Sequence, residues 1–326
     1  MIKIGIMGGA GYTAGELLRI LLQHPHAQIQ WVHSHSQAGK NVGEIHHDLI
    51  GETALLFTNE VKFEEINVLF LCVGHGEAKK IVAQYNLLSS QYAALKIIDL
   101  SQDFRLKKEN NPFIYGLTEL NKVQLKNAQY VANAGCFATC IELALLPLAH
   151  QNLLKSAVHI QAVTGSTGAG QQPTESTHFS WRNNNLSVYK AFSHQHNAEI
   201  VQTIKQLQPY FSADFFFIPV RGNFSRGIFA TLYTEFNGTL EEAYTLYQNF
   251  YANAQQVVIS HNNPDLKMVV NTNKTVIYLE KHNNMLLVIS MIDNLLKGAS
   301  GQAVQNMNVL CGLPEYTGLH LKAVAF

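Results

Sequence analysis

Lys3-Ile4-Gly5-Ile6-Met7-Gly8-Gly9-Ala10-Gly11-Tyr12-Thr13-Ala14-Gly15-Glu16-Leu17-Leu18 opens the chain with an apolar run, a glycine turn and a helical pattern. Residues 3–7 read as a buried strand and 16–22 as a helix. In that order the three pieces make a phosphate-binding unit. The turn bares backbone N–H groups, and the helix N-terminus adds its dipole. Gly8, Gly11, Tyr12, Thr13 and Ala14 are the candidate contacts. Their spacing is G-x-x-G-x-x-A rather than the commoner G-x-G-x-x-G, and a tight turn with no ligand has the same sequence. Outward from here, apolar runs at 29–32, 67–73 and 96–100 alternate with helical patterns. That alternation predicts an α/β chain with a Rossmann-type doubly wound parallel sheet.

Ligands of such sheets bind beyond the carboxyl ends of the strands. After the second strand come Ser34, His35 and Lys40, where a site for unphosphorylated ribose usually carries Asp or Glu. Hydroxyls, a histidine and a lysine suit a 2′-phosphate, so NADP is the expected cofactor, an ordinary polar loop being the alternative. Gly74 sits in a second glycine turn after residues 67–73, beside His75. Ser101 and Arg105 follow the strand at 96–100. Arg105 suits a phosphate oxyanion and equally an ion pair with Asp103.

Residues 133–139, Asn-Ala-Gly-Cys-Phe-Ala-Thr, join a short apolar run to a long apolar helix. Cys136 therefore lies at or near a helix N-terminus, whose roughly +0.5 charge favours thiolate over thiol. A nucleophile and a buried small side chain are the two readings of such a cysteine. The other cysteines, Cys72, Cys140 and Cys311, do not form metal-ligand spacing with it, and no metal is expected.

The pattern changes after about residue 155. Strands are expected at 159–164, 214–220, 228–233, 267–270, 275–281 and 285–292, giving a mixed sheet. Residues 165–170 form a glycine and hydroxyl loop carrying Ser166 and Gly168, polar enough to read as mobile. Residues 171–186 read as a loop or lid. His194 and His196 precede a helix bearing Glu199. They are read as a helix cap, as metal ligands, or as a general acid and base titrating near neutrality.

Composition sets the outer limits. The 326 residues suit two domains, and 47% hydrophobic with 14% charged residues can bury large cores. Zero formal net charge argues against nucleic acid or an acidic membrane surface as partner. No run of 18 apolar residues and no leader-like start are present, so a cytoplasmic location is expected.

Eight segments in order, GGAGYTAGEL (8–17), DLSQDFRL (99–106), YGLTEL (115–120), ANAGCFAT (132–139), TGSTGAG (164–170), HQHNAEI (194–200), SRGI (225–228) and DNLLKGASGQAVQNMN (293–308), are similar to those of the N-acyl-gamma-glutamyl-phosphate reductases of arginine biosynthesis. The family usually has Pro at the positions of Thr118 and Ala134, Arg at that of Gln195 and Gly at that of Ala14. The resemblance implies a semialdehyde dehydrogenase-like chain. Residues 1–140, completed by a C-terminal helix over 298–326, would form the NADP-binding domain, and 141–297 a mixed α/β catalytic and oligomerisation domain. It implies that Cys136 attacks an acyl phosphate, that the thioester takes hydride from NADPH, and that His196, with His194 second, moves the proton while Glu199 orients the imidazole or touches substrate. It further implies Arg105, Arg226 and Ser101 on the substrate, Ser166, Gly168, Asn294, Gly298 and Gln302 near the cofactor, a homodimer or homotetramer, and a small-molecule substrate. N-succinyl substrates and aspartyl phosphate are the neighbouring alternatives.

Overall fold

The computed structural model describes residues 1–324. They divide into two compact units, Met1–Ala134 with Ala299–His320, and Gly135–Gly298. In the first, β1 (Ile2–Met7), α1 (Tyr12–Leu21), β2 (Ala27–His33), β3 (Phe57–Thr58), β4 (Val68–Leu71), α2 (Glu77–Gln84), β5 (Lys96–Asp99), β6 (Ile114–Gly116), α3 (Thr118–Lys126) and β7 (Tyr130–Asn133) follow in chain order. The seven strands pair in the order β3-β2-β1-β4-β5-β7-β6, all of them parallel. Ile4, Ile6, Val68, Leu69, Phe70 and Leu71 are fully buried, as strands covered on both faces must be. The direction of strand progression reverses between β1 and β4. Their carboxyl ends, where the glycine turn and Gly74 lie, are the switch point at which such sheets take ligands.

The second unit contains α4 (Cys136–His150), β8 (Val158–Thr164), α5 (Phe179–Arg182), β9 (Ser187–Val188), α6 (His196–Leu207), β10 (Phe215–Arg221), β11 (Ile228–Glu235), α7 (Leu240–Phe250), β12 (Val257–Ser260), β13 (Thr275–His282) and β14 (Met285–Ile292). Its sheet runs β12-β13-β14-β11-β8-β10-β9. The β12–β13 and β8–β10 pairs are parallel and the rest antiparallel. Along β11 every second residue from Ile228 to Thr234 is buried, so one face of the sheet is core. Helix α4 packs on β11 and β14 and against α6 and α7. It is apolar on all sides, which is why it sits inside the unit.

Pro147 lies within α4. Its ring nitrogen cannot donate to the Leu143 carbonyl one turn back. The Tyr251 hydroxyl donates there instead. Tyr251→Phe should therefore strand a buried carbonyl and lower stability by about 1–3 kcal/mol, read as a reduced denaturant midpoint. An unchanged midpoint would show that the helix closes this gap by itself.

The structure departs from the sequence reading at four places. The division expected after residue 140 falls between Ala134 and Gly135, because residues 136–140 begin a helix that packs on the second sheet. The strand expected at 267–270 is a 3₁₀ turn, Leu266–Met268: the Asp265 carboxylate accepts from the Lys267 N–H at 2.9 Å and bends the chain. Strand β12, which borders β13 in parallel, was not expected. After β14 a π-helical turn, Leu296–Ser300, leads into α8 (Gly301–Leu310), which packs on α1, α3, β5, β6 and β7. The helix expected over 298–326 thus ends at Leu310, where Gly312 at φ 72° turns the chain. Ala325 and Phe326 lie outside the described residues. Asn306 on α8 donates to the Gly116 carbonyl and to Asn133 Oδ1, each at 2.9 Å, and accepts from Thr118 Oγ1 at 2.8 Å. The late helix is thereby bonded to β6, β7 and α3.

Candidate active site

The glycine turn fits a dinucleotide. Gly8 has φ 79°, and a side chain there would meet the Cys72 carbonyl at 2.4 Å, so only glycine allows the close approach. Gly11 is the N-cap of α1 with no side-chain cap, which leaves a helix start suited to a pyrophosphate. Tyr12 is exposed, while Ala14 is fully buried. Ala14 fills the helix-packing position of the motif and presents nothing to a ligand. The Thr13 carbonyl accepts from Ser300 Oγ at 2.6 Å. His46, not singled out from the sequence, is buried beneath the turn, its Nε2 2.8 Å from the Gly9 carbonyl oxygen. Gly74 is exposed with open space around it. Beyond β2, His35 and Lys40 are exposed and Ser34 is buried. The nearest following carboxylate, Glu44, accepts from the Asn41 N–H at 2.8 Å in a capping box.

The turn after β5 holds two of the residues expected on the substrate. Arg105 is 7% exposed, donating Nε to the Asn133 carbonyl at 2.9 Å and Nη2 to the Leu100 carbonyl at 3.0 Å. Those bonds tie two strand ends together. Asp103 instead accepts from the Gly76 and Lys79 N–H groups at the start of α2. Ser101 is 1% exposed and donates to buried Asp99 at 2.9 Å, so it too braces the turn. Burial raises the Asp99 carboxyl to about 6, against the Ser101 bonds and the Arg105 charge.

Cys136 is the first residue of α4, with Gly135 as its N-cap. It is half-buried. The Gly135 N–H donates to Glu199 Oε2 at 3.0 Å, so α6 holds the start of the cysteine helix through a carboxylate. Glu199 Oε1 lies 3.8 Å from His196 Nε2. Its closer bond is to the backbone. Phe137 packs edge-on against both imidazoles, with centroids 5.3 Å from His194 and 6.2 Å from His196. Gly298 sits flat against Cys136, since a side-chain carbon there would fall 2.8 Å from Cys136 Cβ. The π-helical bond from the Gly298 N–H to the Asp293 carbonyl, 2.9 Å, places it so. Gly298, expected at the cofactor, thus lies beside Cys136. Gln302 is wholly buried in α8 and exposes no atom to solvent. Among the described residues no group of three or more His, Cys, Asp or Glu is arranged to hold a metal ion.

His194 is engaged within the protein as well. Its Nδ1 accepts from the His196 N–H at 3.2 Å. Burial, then the neighbouring His196, Lys190 and Arg221, push its imidazolium down to about 3 despite Glu199. It is therefore neutral at physiological pH. The unfolded chain protonates His194 near its ordinary 6.5, whereas the folded chain refuses the proton until about 3. Its contribution is therefore complete above pH 6.5 and is lost on acidification towards 3, by up to about 1.4 kcal/mol per pH unit. His194→Asn should flatten the fall in stability between pH 6 and 4. Parallel pH profiles of wild type and variant would contradict this.

Arg226 was expected on the substrate. It pairs with buried Asp293 through Nε at 3.1 Å and Nη2 at 3.2 Å. Asn294 was expected on the cofactor. It donates to Thr167 Oγ1 at 3.0 Å and accepts from the Gly227 N–H at 2.7 Å. The loop at 165–170 is consequently pinned rather than loose. Ser166 N–H donates to the Phe224 carbonyl, Thr167 N–H to that of Ser225, and Gly165 N–H to that of Gly227. Gly168 is exposed at its tip. Two side chains not singled out from the sequence join the cluster. Tyr189 lies edge-on to His194, and Arg221 lies 4.7 Å over the Tyr189 ring. Arg221 ends β10, and its strand-end position was the available signal. Tyr189 lies in a polar stretch with no periodicity.

Residues 3–128 match the semialdehyde dehydrogenase NAD-binding domain and residues 136–294 the semialdehyde dehydrogenase dimerisation domain. The structure is similar to aspartate semialdehyde dehydrogenase II from Vibrio cholerae, with a TM-score of 0.73 and 13% identity over 96% of this chain and 98% of that one. It is also similar to the aspartate semialdehyde dehydrogenase with NADP from Candida albicans, with a TM-score of 0.70 and 13% identity over 95% and 99%. Fold and domains thus define a semialdehyde dehydrogenase. Over all of both chains the sequence is 57% identical to N-acetyl-gamma-glutamyl-phosphate reductase of Azobacteroides pseudotrichonymphae and 55% identical to that of Phocaeicola vulgatus. The chain belongs to the N-acetyl-gamma-glutamyl-phosphate reductase family.

Proposed function

We propose that this protein reduces N-acetyl-glutamyl 5-phosphate to N-acetyl-glutamate 5-semialdehyde, with release of phosphate, in arginine biosynthesis. The observation that carries the chemistry is Cys136 at the first position of α4, half-buried, with Gly298 against it and α6 bonded to the residue before it. The Cys136 thiolate attacks the acyl carbonyl, the bond to the phosphate oxygen breaks, and a thioester forms. The helix start favours the thiolate and, through the Cys136 amide, the tetrahedral oxyanion. A reduced nicotinamide, when bound, supplies the hydride. His196 is the group we assign to proton transfer at the sulfur and the carbonyl oxygen, because His194 is held neutral and occupied. Glu199 positions the cysteine helix through Gly135.

For the cofactor we propose NADP. The turn at Gly8, Gly11, Tyr12 and Thr13, with Gly74, would hold the pyrophosphate side. Ser34, His35 and Lys40 would meet the 2′-phosphate, with no carboxylate between residues 34 and 40 to repel it. A homodimer or homotetramer is the proposed assembly. It is supported by the dimerisation-domain match and by a ladder on the second sheet, where His159 stacks on partly exposed Phe216 and Tyr233. Among the described residues no helix is long and apolar enough to cross a membrane, and a cytoplasmic location is proposed. The test is phosphate-dependent reduction of NADP by N-acetylglutamate semialdehyde. The rate should far exceed that with aspartate semialdehyde or with NAD. Equal or greater turnover of aspartate semialdehyde would overturn the reading.

A further inference from the structure

We propose that Arg221 is the carboxylate receptor of the catalytic unit, binding a carboxylate of the acylated glutamyl substrate. The inference rests on the function proposed above and assigns a residue to it. Of the arginines in this unit, Arg226 is neutralised by Asp293. Arg182 is 6% exposed and spends its donors on the carbonyls of Ser176, Asn185 and Arg221 and on Ser187 Oγ. Arg221 is different. It is half-buried and makes one hydrogen bond, from Nη1 to the Gly165 carbonyl at 3.0 Å. Among the described residues it has no carboxylate partner, and its Nε and Nη2 have no acceptor. A partly desolvated guanidinium without a counter-charge is costly to maintain. This one is nonetheless held in place, stacked on Tyr189, with Gly168 beside Nη1. Stacking on a ring fixes the plane of the guanidinium and leaves its edge for two parallel bonds to a carboxylate.

The neighbourhood is that of the nucleophile. Tyr189, under Arg221, lies edge-on to His194 at 5.8 Å between ring centroids, and His194 packs at 5.3 Å on Phe137, the residue after Cys136. The acids of the cluster are already used, Glu199 by the Gly135 N–H and Asp293 by Arg226. The missing negative charge must come from a ligand. The substrate brings a carboxylate on the glutamyl α-carbon in every case. A dicarboxylic acyl group would bring a second, and Arg221 has the same chemistry towards either.

Arg221→Gln and Arg221→Lys in the full chain test this in the phosphorylating direction, with N-acetyl- and N-succinylglutamate semialdehyde as paired substrates. The expected result for Arg221→Gln is a fall of about 10- to 100-fold in kcat/KM for the aldehyde, carried mainly by KM. Partial recovery should appear in Arg221→Lys. The KM for inorganic phosphate and the rate of Cys136 alkylation by iodoacetamide should not move. Equal losses on both aldehydes identify the α-carboxylate, and a loss confined to the succinyl compound identifies the acyl carboxylate. N-acetylglutamate and N-succinylglutamate, as matching unphosphorylated ligands, should slow alkylation of wild type more than that of Arg221→Gln. This gives a second readout that needs no turnover. The inference is overturned if both aldehydes stay within about threefold of wild type with protection unchanged. It is equally overturned if the loss falls on the KM for phosphate, or if kcat and alkylation drop together without a KM change. Wild-type turnover tests the proposed function separately, because the inference is read from ratios of variant to wild type and from protection.

Discussion

Cys136→Ser loses turnover by on the order of 10³-fold or more while binding NADPH as the wild type does. A serine hydroxyl keeps the size and position of the side chain at the start of α4. It does not ionise near neutrality, so the helix start has no thiolate to stabilise. The covalent intermediate is then lost, and with it the split of one hard substitution into two easier steps. Retained NADPH affinity is expected because the glycine turn after β1 belongs to the other unit. Steady-state rates and a fluorescence titration with NADPH measure the two halves of the statement. Activity within tenfold of wild type would show that the sulfur is not the nucleophile.

Gly298→Ala has the second largest expected effect. The backbone of Gly298 does not lie in the left-handed region, so alanine brings no conformational strain. What it lacks is space, since the new methyl would fall 2.8 Å from Cys136 Cβ and 3.2 Å from its Cα. Either the cysteine or the π-helical turn must move. A shift on the order of 1 Å at a reacting group costs about 10²-fold in rate, and overpacking adds about 1–3 kcal/mol of destabilisation. Turnover and the rate of alkylation at Cys136 should fall together. If NADPH affinity weakens while alkylation stays at the wild-type rate, Gly298 belongs to the cofactor and not to the nucleophile.

The placements that local pattern predicts and the structure shows are those whose determinants are local. The strand, turn and helix of residues 2–21 are legible because apolar alternation, glycine spacing and helix start lie within one short window. Cys136 is legible for the same reason, as Gly135 and the apolar helix after it are its neighbours in sequence. The arginines were not legible. Arg105, Arg221 and Arg226 all lie at or just beyond strand ends. Which of them is neutralised depends on carbonyls and carboxylates that approach from distant segments. Asp293 arrives 67 residues after Arg226, and the Asn133 carbonyl 28 residues after Arg105. The low proton affinity of His194 was not legible either, because Phe137 and Phe217, which pack on it beside His196, come from distant segments. Asn294, chosen for a ligand, bonds two loops of its own unit. The turn at 266–268 shows the same limit on a smaller scale, where one Asp side chain outweighed the strand pattern of the residues after it.

By itself, then, the order of residues determined a parallel α/β sheet with a nucleotide turn, a mixed sheet after it, and a thiol at a helix start, since each follows from periodicity and nearest neighbours. Tertiary structure alone decided which cation keeps an open charge, which imidazole stays neutral, and which glycine lies against Cys136. Those outcomes depend on desolvation and on bonding partners brought together from far along the chain, which the linear pattern does not encode.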